Sequence, residues 1–174
     1  MNLGPNALGL NDHHERTMDF MRRDFEILLR GLEGKRLGDI SLDAVKDYLE
    51  LLKTMVERVS EGIEARDNFI SYTFNEEDIP TVFAAEEPTE PSMHDERTMN
   101  FLKKDFAILL RGIEGKRLEE INLDAIIELL GMLQDEVEDV KQGIRARDRF
   151  ISYTMTPEEM PDVFTKTDTK KQGL

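Results

Sequence analysis

Three histidines, His13, His14 and His94, and a large set of carboxylates are the side chains through which this chain could do chemistry. Cysteine is absent, so disulfides, thiolate metal sites and cysteine nucleophiles are excluded. Each histidine falls where a helix is expected to begin, and a histidine there is ordinarily a solvated polar residue. A di-iron bundle site needs Glu-x-x-His on inward helix faces, and a helical zinc site needs His at i and i+4. Neither spacing occurs. That leaves acid–base work by paired acids in a pocket. The acids present in both halves of the chain are Glu15, Asp24, Glu33, Asp43, Glu57, Asp67 and Glu77. Most fit caps, solvated faces or salt bridges. Asp24 differs, because it shares an apolar strip with Phe20, Ile27 and Gly31, as Asp105 does later in the chain. A structural partner is expected for it. The chain therefore reads as non-enzymatic, with no cofactor and no metal.

The elements that would position these residues occur twice. His13 to Phe83 and His94 to Phe164 align without a gap, and more than half of the positions are identical. Each copy reads as two helices. The first is expected from about His13 to Gly34, with Asp12 as cap and Glu15 three residues on; Ser92 and Asp95 play those parts in the second copy. Met18, Met21, Phe25, Leu28 and Leu32 form its apolar stripe. Gly31 and Gly34, repeated as Gly112 and Gly115, weaken the helix and offer it an end.

The second helix should start at Ser41 or Asn122, both good caps, with Asp43 or Asp124 in the first turn. Its seam is long: Leu42, Val45, Leu49, Leu52, Val56, Val59, Ile63, Arg66 and Ile70, repeated as Leu123, Ile126, Leu130, Leu133, Val137, Val140, Ile144, Arg147 and Ile151. Spacings of three and four are those of bundle packing. Read as one helix to Thr73, it outruns the first by roughly ten residues, or about 15 Å. The overhang carries Arg66, Asp67, Phe69, Ile70 and Tyr72, with Arg147, Asp148, Phe150, Ile151 and Tyr153 in the second copy. So apolar a segment predicts a contact surface, within the bundle or with a partner. Arg66 on a seam would need a carboxylate: Asp67, Glu15 or an acid of a partner. Val82-Phe83 and Val163-Phe164 are expected to fold back onto the bundle.

One hairpin leaves half of the seam uncovered. The predicted fold is therefore all-α, with tandem helical hairpins forming a four-helix up-down bundle. Pairing of hairpins between two chains, a homo-oligomer, is the alternative. The expected organisation is a disordered segment 1–12, hairpin copies at 13–83 and 92–164, an extended acidic linker at 84–91, and a disordered tail at 165–174. The formal net charge of −14 argues against nucleic acid and anionic membranes as partners and favours a protein partner with a basic surface. No apolar run approaches a membrane span or a signal peptide, so a cytoplasmic location is expected.

The first helix followed by Met55 to Phe74, with Gly62 and Glu64, resembles the first hairpin of hemerythrin-like (HHE cation-binding) domains. The resemblance implies iron held by a His of the first helix and a His-x-x-x-Glu group of the second. Here Ser60 occupies the place of that second His and only Glu64 remains. The second copy has Lys141 and Arg145 at these places, and a cation there repels a metal. The resulting expectation is a non-catalytic helical interaction protein: a scaffold, an adaptor or a small subunit of an assembly. A hemerythrin-like metal or oxygen-binding protein with a nonstandard carboxylate site is the alternative. An acidic nucleic-acid mimic that blocks a basic protein is a third reading, resting on charge alone.

Overall fold

The computed structural model describes residues 4–90, 94–144 and 146–166, with side chains from residue 13 onward. The chain is all-α. Its helices are α1 (Gly4–Arg30), α2 (Leu42–Ser60), α3 (Asp95–Ile113) and α4 (Leu123–Lys141), joined by short 3-10 turns. Among the described residues, the only extended pairings are two isolated antiparallel bridges, Ile40 with Ala84 and Ile121 with Thr165. No described helix is long and apolar enough to cross a membrane.

The first helix starts earlier than its caps suggest. Residues 4–12, expected to be disordered, are the opening turns of α1, so His13 and His14 lie inside a helix. Pro5 falls in the first turn, where its missing N–H is no loss. Met1 to Leu3 lie outside the described residues, as does Ser92, the cap expected for α3.

The start of α2 follows the sequence closely. Ser41 Oγ accepts the Ala44 amide at 3.2 Å, and Asn122 Oδ1 accepts the Ala125 amide at the same distance. The end of α2 does not. The helix stops at Ser60, well short of Thr73. Gly62 adopts φ +86°, the Ile63 amide donates to Arg58 O at 2.8 Å, and the Gly62 amide donates to Val59 O at 2.9 Å. That pair of bonds is a Schellman stop, with glycine in the left-handed position that L side chains avoid. Gly143 (φ +90°) ends α4 in the same way. The projected overhang therefore does not exist. Arg66–Asn68 and Ile70–Tyr72 are 3-10 turns, and the chain folds back along α1.

The core is formed by Val45, Leu49, Leu52, Val56 and Val59 of α2 with Ile126, Leu130, Leu133, Val137 and Val140 of α4, all buried. Each such side chain contributes roughly 1.5–3 kcal/mol relative to exposure. α2 and α4 run antiparallel, as the partners along their seam show. Asp43 meets Lys141 at 2.6 Å, Lys46 meets Glu138, and Glu50 accepts from Gln134 at 2.7 Å. Ile63, expected on this seam, is 44% exposed because the helix has already ended.

α1 runs antiparallel to α2. The Tyr48 hydroxyl donates to Asp24 O at 2.6 Å in the middle of the pair, and Thr17 Oγ1 donates to Glu64 Oε1 at 2.7 Å just beyond the end of α2. α1 also reaches the bend between α3 and α4, where Arg22 donates to Lys116 O at 3.2 Å.

Phe83 and Phe164 fold back as expected, and both are almost fully buried. Their carbonyls accept the amides of Ser41 and Asn122 at 2.7 Å. The segment after Phe83 is not free either. The Ala85 amide donates to Asp39 O and the Thr89 amide to Gly38 O, so the expected open linker is laid along the first bend. A β-carbon at residue 38 would stand 2.3 Å from Thr89 O, which explains a glycine where the second copy has Glu119. At the other end Lys166 donates to Glu120 O at 2.9 Å, and the tail beyond it lies outside the described residues.

Candidate contact surface

The segment expected to make contacts is held by a buried acid. Asp24 is fully buried on α1, and its two carboxylate oxygens accept the amides of Ile70 at 3.0 Å and Ser71 at 2.8 Å. Asp105 on α3 does the same for Ile151 at 2.9 Å and Ser152 at 2.7 Å. A single 3-10 turn leaves its leading amides without acceptors inside the turn, and a carboxylate can take two at once. The structural partner expected for Asp24 is therefore a pair of backbone amides. Burial pushes the Asp24 acid up to about 6, against the opposing pull of the bonds from Ser71 and Ile70 and the nearby Arg23 charge.

This seat divides the ten expected contact residues. Phe69 and Phe150 are used internally: Phe69 stacks on Phe20 with centroids 5.0 Å apart, and Phe150 on Phe101 at 4.9 Å. Ile70 and Ile151 are half-buried against the core. Arg66, Asp67, Arg147 and Asp148 are exposed. Arg66 is therefore not a seam residue, and neither Asp67 nor Glu15 is needed to neutralise it in an interior. Tyr72 and Tyr153 are 50% and 51% exposed, and Tyr72 leans edge-on against Phe20. Exposed aromatics beside exposed charges, at matched positions in both copies, can offer stacking area and hydrogen bonds to another protein surface.

The histidines are not independent groups. His13 Nε2 lies 3.4 Å and His14 Nε2 3.9 Å from opposite oxygens of Glu64, and His14 Nδ1 lies 3.7 Å from Glu119. His94 sits beside Arg97 at the start of α3. Among the described residues, no group of three or more histidines and acids is arranged to hold a metal ion. Arg145, at the place of a ligand in the second copy, lies outside the described residues.

Sequence reasoning passed over Glu136. It is 3% exposed on α4, at the position where the first copy has Met55. Aligning the two copies was the available signal, because it places an acid on a face that is otherwise apolar. Tyr48 is another departure between copies: its buried hydroxyl is held in the neutral form by desolvation and by Asp24, whereas the second copy has Leu129.

Comparison with protein-family models, with curated proteins and with solved structures finds no match to this chain.

Proposed function

We propose that the protein is a non-catalytic helical interaction protein, a scaffold, adaptor or small subunit, that engages a protein partner through the outer faces of its two 3-10 segments. The observation that supports this reading is the pair of half-exposed tyrosines, Tyr72 and Tyr153, each on the segment that carries an exposed Arg-Asp pair. Tyrosine is favoured in protein contacts because it gives a large area at little entropic cost. The formal net charge of −14 suits a partner with a basic surface, and a cytoplasmic setting belongs to the same reading.

The test is a comparison of partners recovered from the native host by the wild-type chain and by a Tyr72→Ala/Tyr153→Ala variant. The reading predicts that a specific partner is lost while the melting temperature holds. A partner set unchanged by this variant, and by Arg66→Ala/Arg147→Ala, would overturn it.

A second reading, a hemerythrin-like metal or oxygen-binding protein with a nonstandard carboxylate site, is favoured by one observation: His13 and His14 both approach Glu64. Elemental analysis after dialysis separates the two. The first reading expects no stoichiometric iron or manganese, and retained metal lost in Glu64→Gln would establish the second.

A further inference from the structure

We propose that Glu136 and Asp105 hold one proton between them, so that the second copy's turn at Ile151–Tyr153 is seated on a carboxylic acid–carboxylate pair rather than on a lone carboxylate. Glu136 is 3% exposed, and neither of its carboxylate oxygens has a hydrogen-bond partner among the described residues. Beside it lie the Asp105 carboxylate and the Ile151 amide. The oxygens of Asp105 already accept from Ile151 and Ser152. Two ionised carboxylates are acceptors only, and the Ile151 amide that bears on both is already bonded to Asp105. A proton on Glu136 turns this acceptor–acceptor clash into an O–H bond donated to Asp105, and it removes one of two buried like charges.

Among the described residues, the surrounding charges do not offer another remedy. Besides Asp105, Asp139 on the same helix bears on Glu136; it is also negative and is paired with Arg149 at 3.3 Å. From α2, Asp43 and Lys46 are engaged with Lys141 and Glu138, which point away from Glu136 around α4. Burial, reinforced by Asp105, pushes the Glu136 acid up to about 11. With Asp105 accepting the Glu136 O–H, the proton is held between the two carboxyl groups. The first copy has no counterpart, since Met55 stands where Glu136 does and Asp24 seats its turn alone.

The consequence is a proton-dependent seat on one half of the molecule only. The folded-state acid is raised far above its ordinary value of 4.5. Its contribution is therefore complete below that value and declines as pH rises toward the folded one. Across this window folding takes up a proton, and the folding constant falls about tenfold per pH unit on account of this group.

Glu136→Gln keeps a donor facing Asp105 without a titrating proton, and Glu136→Met copies the first half of the chain should the amide be poorly accommodated. Stability is measured from pH 6.5 to 8.5, with the infrared carbonyl band of a protonated, buried carboxylic acid followed at pH 8.5. The wild type is expected to show that band and both variants to lack it. The wild-type folding constant should fall about tenfold per pH unit more steeply than that of either variant. Asp24 is common to all three proteins and cancels. A wild-type spectrum without the band, a band that survives both substitutions, or parallel pH profiles would each overturn the proposal.

Discussion

The Asp24 carboxylate receives the backbone N–H of Ser71 at 2.8 Å and thereby fastens the turn after α2 to the middle of α1. With Ile70 bound to the other oxygen, one side chain satisfies two amides that the turn cannot satisfy itself. Asp24→Ala should leave both amides without an acceptor, at about 1–3 kcal/mol for each buried donor. Thermal melting should register the loss. Hydrogen exchange should accelerate at Ile70 and Ser71 before it does in α2. Equal protection of those amides in wild type and variant would contradict this role.

The same acid predicts a pH dependence. Burial raises Asp24 from its ordinary 3.8 to about 6. A raised folded-state value means that folding takes up a proton, so this group's contribution is complete below 3.8 and is lost as pH climbs through about 6. The shift corresponds to a decline on the order of 3 kcal/mol. Denaturant titrations between pH 4 and 7 should show this decline in the wild type and a shallower one in Asp24→Asn.

Two kinds of glycine should respond differently to alanine. At Gly31 a β-carbon would lie 2.4 Å from the Phe83 ring, and at Gly112 it would lie 2.3 Å from Phe164. Forcing either ring aside should cost about 1–3 kcal/mol and disturb the bond from Ser41 or Asn122 to the phenylalanine carbonyl. Gly34 and Gly115 have open space but φ +72°, so alanine there should cost about 1–2 kcal/mol through backbone strain alone. A smaller Phe83, as in Phe83→Leu, should relieve part of the cost of Gly31→Ala, with Val82 Cγ1 still 2.6 Å from the new β-carbon, and leave Gly34→Ala unchanged. Melting temperatures of the single and double variants decide the matter.

Residues 1–88 alone should dimerise. The α2 face that packs on α4 carries Val45, Leu49, Leu52 and Val56, and without the second copy this stripe would meet water. Most of the corresponding α4 positions are aliphatic in both copies, so α2 can stand in for α4. Sedimentation should show a concentration-dependent dimer. A stable, fully helical monomer would mean that one hairpin covers its own seam.

Periodicity and capping chemistry made much of the fold legible. The caps at Ser41 and Asn122, the apolar stripe of α2 and α4, and the return of Phe83 and Phe164 all follow from residue type and spacing. The end of α2 was misread because the three-four pattern continues past Gly62 into Ile63, Arg66 and Ile70. Periodicity reports which residues could share a face and is silent about a left-handed glycine that turns the chain away. Glycines two residues past the ends of the helices, Gly62 and Gly143, were the better signal. Of the contact surface, the sequence identified the segment but not its orientation. Which aromatic faces inward depends on where Asp24 and Asp105 grip the backbone, and a long-range bond of that kind leaves no local periodic trace. Phe69 and Phe150 consequently turned inward, while Tyr72 and Tyr153 stayed out.

The strap from Ala85 to Thr89 along the first bend joins two halves that are alike but need not be self-complementary. A two-fold dimer of identical hairpins must present every residue twice, so an acid at the position of Glu136 would be buried in both halves at once. Covalent joining removes that symmetry constraint. Gly38 can make way for the strap while its counterpart Glu119 reaches His14, and Tyr48 can bind the α1 backbone while its counterpart is a leucine. One half can therefore acquire a titrating group, or a different surface, while the other keeps the shared seam intact.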